Sequence, residues 1–283
     1  MPEAPARGNA SPVAFIGGGH MASALIGGLL SAGRSAADIV VVEPAQAQRN
    51  RLAQSFGVAA QPAADAQLAQ AGTVVWAVKP QSFAEAAAPC APHVGGALQL
   101  SVMAGIRCES IVRALGLDVH RARVVRAMPN TPALIGRGIA GLFATEAVDA
   151  AQRALVEALL APTGATLWVP READLDAVTA VSGSGPAYVY YVLEAMMEAA
   201  TQMGLSPAQG RQLAIATFDG AAELAGRSAE PPQALRAQVT SKGGTTHAAI
   251  TSLEADGVKA AFVRALHAAE RRARELGDEF GRG

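Results

Sequence analysis

The hexapeptide Gly17-Gly18-Gly19-His20-Met21-Ala22 directly follows an apolar β-branched run and directly precedes a helical pattern. It fits G-x-G-x-x-G/A, and this context is what makes the pattern informative. Gly17 is read as the tight turn and Gly19 as the point where backbone approaches a pyrophosphate. Ala22 lets the helix pack closely on the strand. The free N–H groups that open the helix then face the phosphates, with Gly18 and Met21 in the same loop. His20, beside the phosphates, is read as a loop donor and not as a general base. Such sites place an acid at the end of the second strand, where it grips the adenosine ribose. Glu43 stands there. These residues predict a dinucleotide site; a glycine-rich turn without a ligand is the competing reading.

Four further stretches could carry chemistry. Ala77-Val78-Lys79-Pro80 ends a β-branched run, so it lies at the carboxyl edge of the sheet, where ligands of open α/β sheets bind. Pro80 halts strand pairing there. Lys79 could reach ribose or phosphate, or stand simply as a solvated lysine. Met128-Pro129-Asn130-Thr131-Pro132 also follows a strand, and its two prolines hold Asn130 where nicotinamide and substrate would meet. A structural Asx turn is the alternative for Asn130. Ser182-Gly183-Ser184-Gly185-Pro186-Ala187-Tyr188 reads as a helix start with small residues before its proline. Thr240-Ser241-Lys242-Gly243-Gly244-Thr245-Thr246 precedes another helix, and its successive N–H groups would form a concave anion site suited to a carboxylate. Without a ligand the same loop is a plain N-cap.

Positioning these groups requires an ordered frame. Pro12–Ile16, Asp38–Val42, Thr73–Val78, Ala97–Val102, Arg123–Ala127 and Thr166–Val169 read as strands, and helical patterns separate the first of them. That alternation predicts βαβ units, and so an α/β fold: a Rossmann-like, doubly wound, mostly parallel sheet. From about Asp174 the strand signal fades. Ala187–Met203, Pro207–Ala225, Pro232–Val239 and Thr246–Leu276 read as helices of an all-α domain. The predicted organisation is a flexible tail (1–11), a dinucleotide-binding domain (12–170) and a helical substrate and dimerisation domain (171–283). The helical part carries more apolar face than so short a segment can hide, which predicts a homodimer.

Composition narrows the classes. Hydrophobic residues make up 51% of the 283, enough for a large core, and the net charge of −1 comes with no basic stripe, arguing against nucleic acid. No apolar run approaches the roughly 18 residues of a membrane span. The start of the chain has no apolar core segment of a secretory signal, so a cytoplasmic protein is expected. Cys90 and Cys108 stand apart, without metal-ligand spacing, so no metal site is expected and both read as free, buried thiols.

The quoted motifs, with Ile16–Ala22, Ala77–Gln81, Ser101-Val102-Met103-Ala104-Gly105, Arg126–Ala133, Ser182–Tyr188 and Thr240–Thr246 in this order, resemble the motif series of pyrroline-5-carboxylate reductases. The resemblance runs nearly the whole chain. His20 stands where that family usually has Asn, and Lys242 where Pro is commoner. The resemblance implies reduction of L-1-pyrroline-5-carboxylate to L-proline, with NADPH as cofactor and NADH also accepted. It implies dimers that often assemble into decamers. By the same resemblance Thr246 would hydrogen-bond the ring nitrogen. Ser241 and the backbone of Gly243, Gly244 and Thr245 would hold the carboxylate, with Ser184 completing the substrate set. A β-hydroxyacid dehydrogenase shares the layout but needs a Lys with an Asn four residues on; none of Asn9, Asn50 and Asn130 follows a lysine so. Cofactor preference is the point of tension. Glu43 would accept both ribose hydroxyls and repel a 2′-phosphate, whereas Arg49 and Arg51 lie close enough in sequence to reach one.

Overall fold

The computed structural model describes residues 11–281, so the tail read at the start of the chain lies outside the described residues except for Ser11. The sheet contains β1 (Val13–Ile16), β2 (Ile39–Val42), β3 (Ala60–Gln61), β4 (Thr73–Trp76), β5 (Leu98–Ser101), β6 (Val124–Met128), β7 (Gly138–Ala144) and β8 (Gly164–Trp168). Their spatial order is β3-β2-β1-β4-β5-β6-β7-β8. All neighbours pair in parallel except β6 and β7. This is the doubly wound, mostly parallel sheet that the strand–helix alternation predicts.

Strands buried on both faces send successive side chains to opposite layers. In β1, Val13 and Phe15 join one apolar cluster while Ala14 and Ile16 join the other. The first layer is covered by α1 (His20–Ser31), α2 (Gln46–Phe56) and α5 (Ala150–Leu160). The second is covered by α3 (Phe83–Val94) and α4 (Cys108–Ala114). Phe83, Ala87, Cys90 and Val94 are the buried residues of α3, at the helical spacing of one face. Gln99, a fully buried large polar side chain, is satisfied throughout: Trp76 Nε1 donates to it at 2.9 Å, and it donates to Val94 O at 2.8 Å and Ala97 O at 3.0 Å.

Two strands escape the sequence pattern. β3 is only two residues long. β7, Gly-Ile-Ala-Gly-Leu-Phe-Ala, carries two glycines, which normally weaken a strand. Here close approach demands them: a Cβ at Gly138 would stand 2.8 Å from Ala133 N and Thr163 O, and one at Gly141 would stand 2.6 Å from Val178 Cγ1.

The chain packs as two compact units, one running up to Ser184 and resuming at Ala269, the other Gly185–Ala268. This division does not coincide with the boundary expected near Pro170. In the first unit α6 (Asp174–Val178) stays with the sheet, because Leu175 is buried and Val178 lies over Gly141. The end of α11 (Val258–Gly281) belongs there too: Phe280 packs against Gly105, Arg107 pairs with Asp278 at 2.6 Å, and Arg113 Nη2 donates to Gly281 O at 2.7 Å. The second unit holds α7 (Gly185–Gln202), α8 (Pro207–Arg227), α9 (Pro232–Gln238), α10 (Thr245–Ala255) and the first part of α11. The single helix expected over Thr246–Leu276 is broken between Ala255 and Val258, where Gly257 adopts φ +64°. The helix start expected at Ser182–Tyr188 is present, with α7 beginning at Gly185, but helical backbone also precedes it. Helical backbone already begins at Asp174 and passes through a π segment, Thr179–Gly183, before α7.

A buried ion pair fastens the first unit. Arg126, on β6, donates from Nη1 to Glu172 Oε1 at 2.9 Å, and the same oxygen accepts the Cys108 N–H at 2.7 Å. Glu172 thus caps α4 from 64 residues away, since the residue before that helix, Arg107, provides no side-chain cap. Losing one partner of such a pair strands a charge in low dielectric, whereas apolar replacement of both costs far less. Glu172→Ala should therefore cost about 3 kcal/mol in denaturant unfolding, allowing for the partial exposure of the carboxylate. Arg126→Met with Glu172→Leu should cost less than half of that.

Candidate active site

Strand register sets the height of the candidate site. Ile16 aligns with Val42 and with Trp76, and Trp76 aligns with Ser101. Gly17, Glu43, Ala77 and Val102 therefore leave the sheet together along its carboxyl edge. Gly17 has φ +94°, and its N–H donates to Val42 O at 2.8 Å. A Cβ there would lie 2.8 Å from Ala77 O, so only glycine lets the β1 turn pass the end of β4. A Cβ at Gly18 would meet Leu52 Cδ1 at 2.7 Å. At Gly19 nothing lies within 4 Å of that position, and no side chain caps α1. The opening N–H groups of α1 thus face open space that any larger residue at 19 would fill. Its first turn carries no acid. This cradle fits a pyrophosphate.

The neighbouring groups are placed as follows. His20 is exposed, and Met21 is half-buried against the first apolar cluster. Glu43 reaches back to the glycine loop: Gly18 N–H donates to Oε2 at 2.9 Å and Ala45 N–H donates to Oε1 at 2.8 Å. Arg49 Nη1 donates to the Glu43 and Pro44 carbonyls at 2.9 and 2.6 Å, so a cation stands beside the acid. Arg51 is exposed. β4 ends at Trp76, two residues earlier than its sequence suggests. The Ala77 N–H still donates to Ile16 O at 2.9 Å, Val78 packs on the second apolar cluster, and exposed Lys79 precedes a short 3-10 turn begun by Pro80. Asn130 ends the β6 turn with its amide bonded at both ends, to Ile139 N–H and Ser182 O. Ser184 follows the π segment, with its N–H donating to Thr179 O at 2.8 Å. The sequence pattern misses Gln48, whose side-chain amide donates to Gly18 O within this loop. No local motif signals it.

In the second unit the loop between α9 and α10 gathers the other group of residues. Gly243 has φ +78° with open space at its Cβ position, and Gly244 is the N-cap of α10 with no side-chain cap. Ser241 folds back so that its carbonyl accepts the Gly244 N–H at 3.0 Å and its Oγ lies 2.8 Å from the Cβ position at Gly244. Exposed Thr245 and half-buried Thr246 make up the start of α10, whose first turn has no acid. An open helix start of this kind accepts a carboxylate.

The thiols are chemically quiet. Both cysteines are free and buried; burial pushes Cys90 up to about 11, and burial with the nearby Glu172 carboxylate pushes Cys108 higher still. Neither supplies a thiolate near neutral pH. Among the described residues no cluster of His, Cys, Asp or Glu could hold a metal ion, and no helix is long and apolar enough to cross a membrane.

The family models divide the chain in a comparable way. Residues 12–105 match "NADP oxidoreductase coenzyme F420-dependent", and residues 172–276 match "pyrroline-5-carboxylate reductase dimerisation". The pyrroline-5-carboxylate reductase of Pseudomonas aeruginosa is 43% identical over 95% of this chain and 98% of its own. The chain belongs to the pyrroline-5-carboxylate reductase family. A solved reductase from Coxiella burnetii superposes with TM-score 0.87 at 36% identity, over 95% of this chain and 99% of its own. The pyrroline carboxylate reductase of Plasmodium falciparum, solved with NADP bound, superposes with TM-score 0.84 at 26% identity, over 95% and 99%. The β-hydroxyacid dehydrogenase alternative is not favoured. The matched dimerisation segment accords with the surface of the second unit. There only Ala200, Gly210 and Ala214 are buried, while Tyr190, Tyr191, Leu213 and Leu224 are exposed. This reductase is a homo-oligomer.

Proposed function

We propose that this protein reduces L-1-pyrroline-5-carboxylate to L-proline, the last step of proline biosynthesis, using NADPH and accepting NADH. The observation that carries the reading is likeness to a reductase of that name along 95% of the chain, through both open glycine loops. When bound, the reduced nicotinamide supplies a hydride to the carbon of the cyclic C=N bond. The protein's part is to bind and orient. Gly17, Gly18, Gly19, His20 and Met21 hold the pyrophosphate, Glu43 the adenosine ribose, and the 77–80 segment the rest of the cofactor, with the Asn130 turn bordering the nicotinamide. Ser241 and the Gly243, Gly244 and Thr245 backbone hold the substrate carboxylate, with Ser184 beside the ring. Thr246 orients the ring nitrogen. A threonine hydroxyl is too weak an acid to protonate an imine, so the iminium is the reacting form. The dimers assemble into a decamer and work in the cytoplasm, the reducing compartment that suits the reduced cofactor and two free thiols.

Purified protein should oxidise NADPH only when pyrroline-5-carboxylate is added; equal oxidation without it would overturn the reading. Thr246→Ala should lower kcat about tenfold or more, the loss of one hydrogen bond that tightens in the transition state, while Thr246→Ser retains most activity. Near-wild-type rates for the alanine variant would remove Thr246 from the site.

Cofactor choice turns on Glu43. A carboxylate near a 2′-phosphate at a partly exposed position costs about 1–2 kcal/mol, enough to blur a preference without forbidding binding. Glu43→Ser should lower the KM for NADPH and raise it for NADH. Because Glu43 also accepts the Gly18 and Ala45 N–H groups, both constants move with the loop, and their ratio is the meaningful readout. An unchanged ratio would mean that Glu43 does not touch the ribose. For the assembly, sedimentation equilibrium should return the mass of ten chains; a two-chain particle would leave the dimer alone standing, and a single chain would refute both.

A further inference from the structure

Asn130 joins two segments of the first unit that strand pairing does not join. Its Oδ1 accepts the Ile139 N–H at 3.0 Å, just inside β7, and its Nδ2 donates to the Ser182 carbonyl at 3.2 Å. The Ser182 carbonyl lacks its usual donor for a local reason. In regular helix that donor is the N–H four residues on, and residue 186 is proline. The backbone here has already left α-helical pitch: Thr179–Gly183 is a π segment, closed by the Ser184 N–H on Thr179 O at 2.8 Å. Single π turns of this kind gather at functional sites. A second contact fastens the same pair of segments, since a Cβ at Gly183 would stand 2.7 Å from Met128 Cε. On the other side, Val178 sits over Gly141. The Met128–Asn130 turn leaves β6 at the carboxyl edge of the sheet, where the ligand of an open α/β sheet lies.

We infer that Asn130 is a positioning residue whose side-chain amide stands in for the N–H that Pro186 lacks, and so fixes the Ser182–Ser184 turn against the carboxyl edge of the sheet. The turn is thereby held at one height beside the bound ring, and Asn130 need make no side-chain contact with the cofactor. Both polar ends of the amide are already used. The kinetic part of this inference rests on the proposed reductase activity; the bracket itself does not.

Asn130→Asp separates the two bonds. It keeps an acceptor for the Ile139 N–H, and so the start of β7, but turns an oxygen toward the Ser182 carbonyl in place of a donor. The expected result is a kcat about tenfold lower with the KM for NADPH within about twofold of wild type. Without any substrate, amide exchange across residues 179–185 should quicken in the variant, as expected when a bond that closes a turn is lost. Pro186→Ala supplies the missing N–H. In that background the Asn130→Asp loss should shrink to about threefold or less, because the two changes share one carbonyl. A raised KM for NADPH at unchanged kcat would make Asn130 a cofactor ligand instead. Unchanged exchange across the turn, or fully additive losses in the double variant, would overturn the bracket. If the wild-type protein did not turn over pyrroline-5-carboxylate, the functional reading would fall while the exchange measurement still decided the bracket.

Discussion

The carboxylate of Glu172 ties strand β6 to helix α4. One of its oxygens takes both the guanidinium of Arg126 on β6 and the opening N–H of α4. Buried charges are tolerated where geometry and extra hydrogen bonds offset their desolvation, and this pair has both. Even so, Arg126 Nε has no hydrogen-bond partner among the described residues, so the offset is incomplete. The arrangement is better understood as fixing where things are than as adding stability. β6 runs from Arg126 directly into the Met128–Asn130 turn, and Glu172 stands just ahead of α6 and the π segment. The strand and the helix that meet at Asn130 are thus tied once by charge and once by an amide.

The charged surroundings extend further. Burial raises the pKa of Asp176 from its ordinary value, while Arg126, Arg107 and Arg274 pull it down and Asp278 pushes it up. A folded-state pKa above the unfolded value means that the native protein holds the proton more tightly. Asp176 therefore favours the fold at low pH and loses that contribution as pH rises through its folded value. Arg107 and Asp278 pair with each other, so the end of the last helix is tied to α4 within the same charged neighbourhood.

What could be read from the sequence follows from how local each signal is. β1, β2, β4, β5 and β6 are legible because strands buried on both faces appear as continuous apolar runs. The glycine loop after β1 is legible because its residues act through backbone shape. β7 was hidden because its glycines serve neighbours far along the chain, Thr163 and Val178, which no window around Gly138 or Gly141 contains. The helix start at 182–186 is legible from its Ser, Gly and Pro, but the π segment ahead of it and its tie to Asn130, 52 residues earlier in sequence, are not. The place of Glu43 at the end of β2 is legible, but its bonds to Gly18 and Ala45 are not. The break at Gly257 was missed because a lone glycine inside a strong helical pattern signals little.

The second unit fully buries only small residues, Ala200, Gly210 and Ala214, and leaves Tyr190, Tyr191, Leu213 and Leu224 exposed. A second copy covering those side chains would make the unit's stability depend on chain concentration. During synthesis the sheet half cannot finish packing until the last helix has emerged, because Phe280 near its end lies on the second apolar cluster and Asp278 pairs with Arg107. If burial in the helical half waits on another copy, its folding becomes second-order in chain concentration.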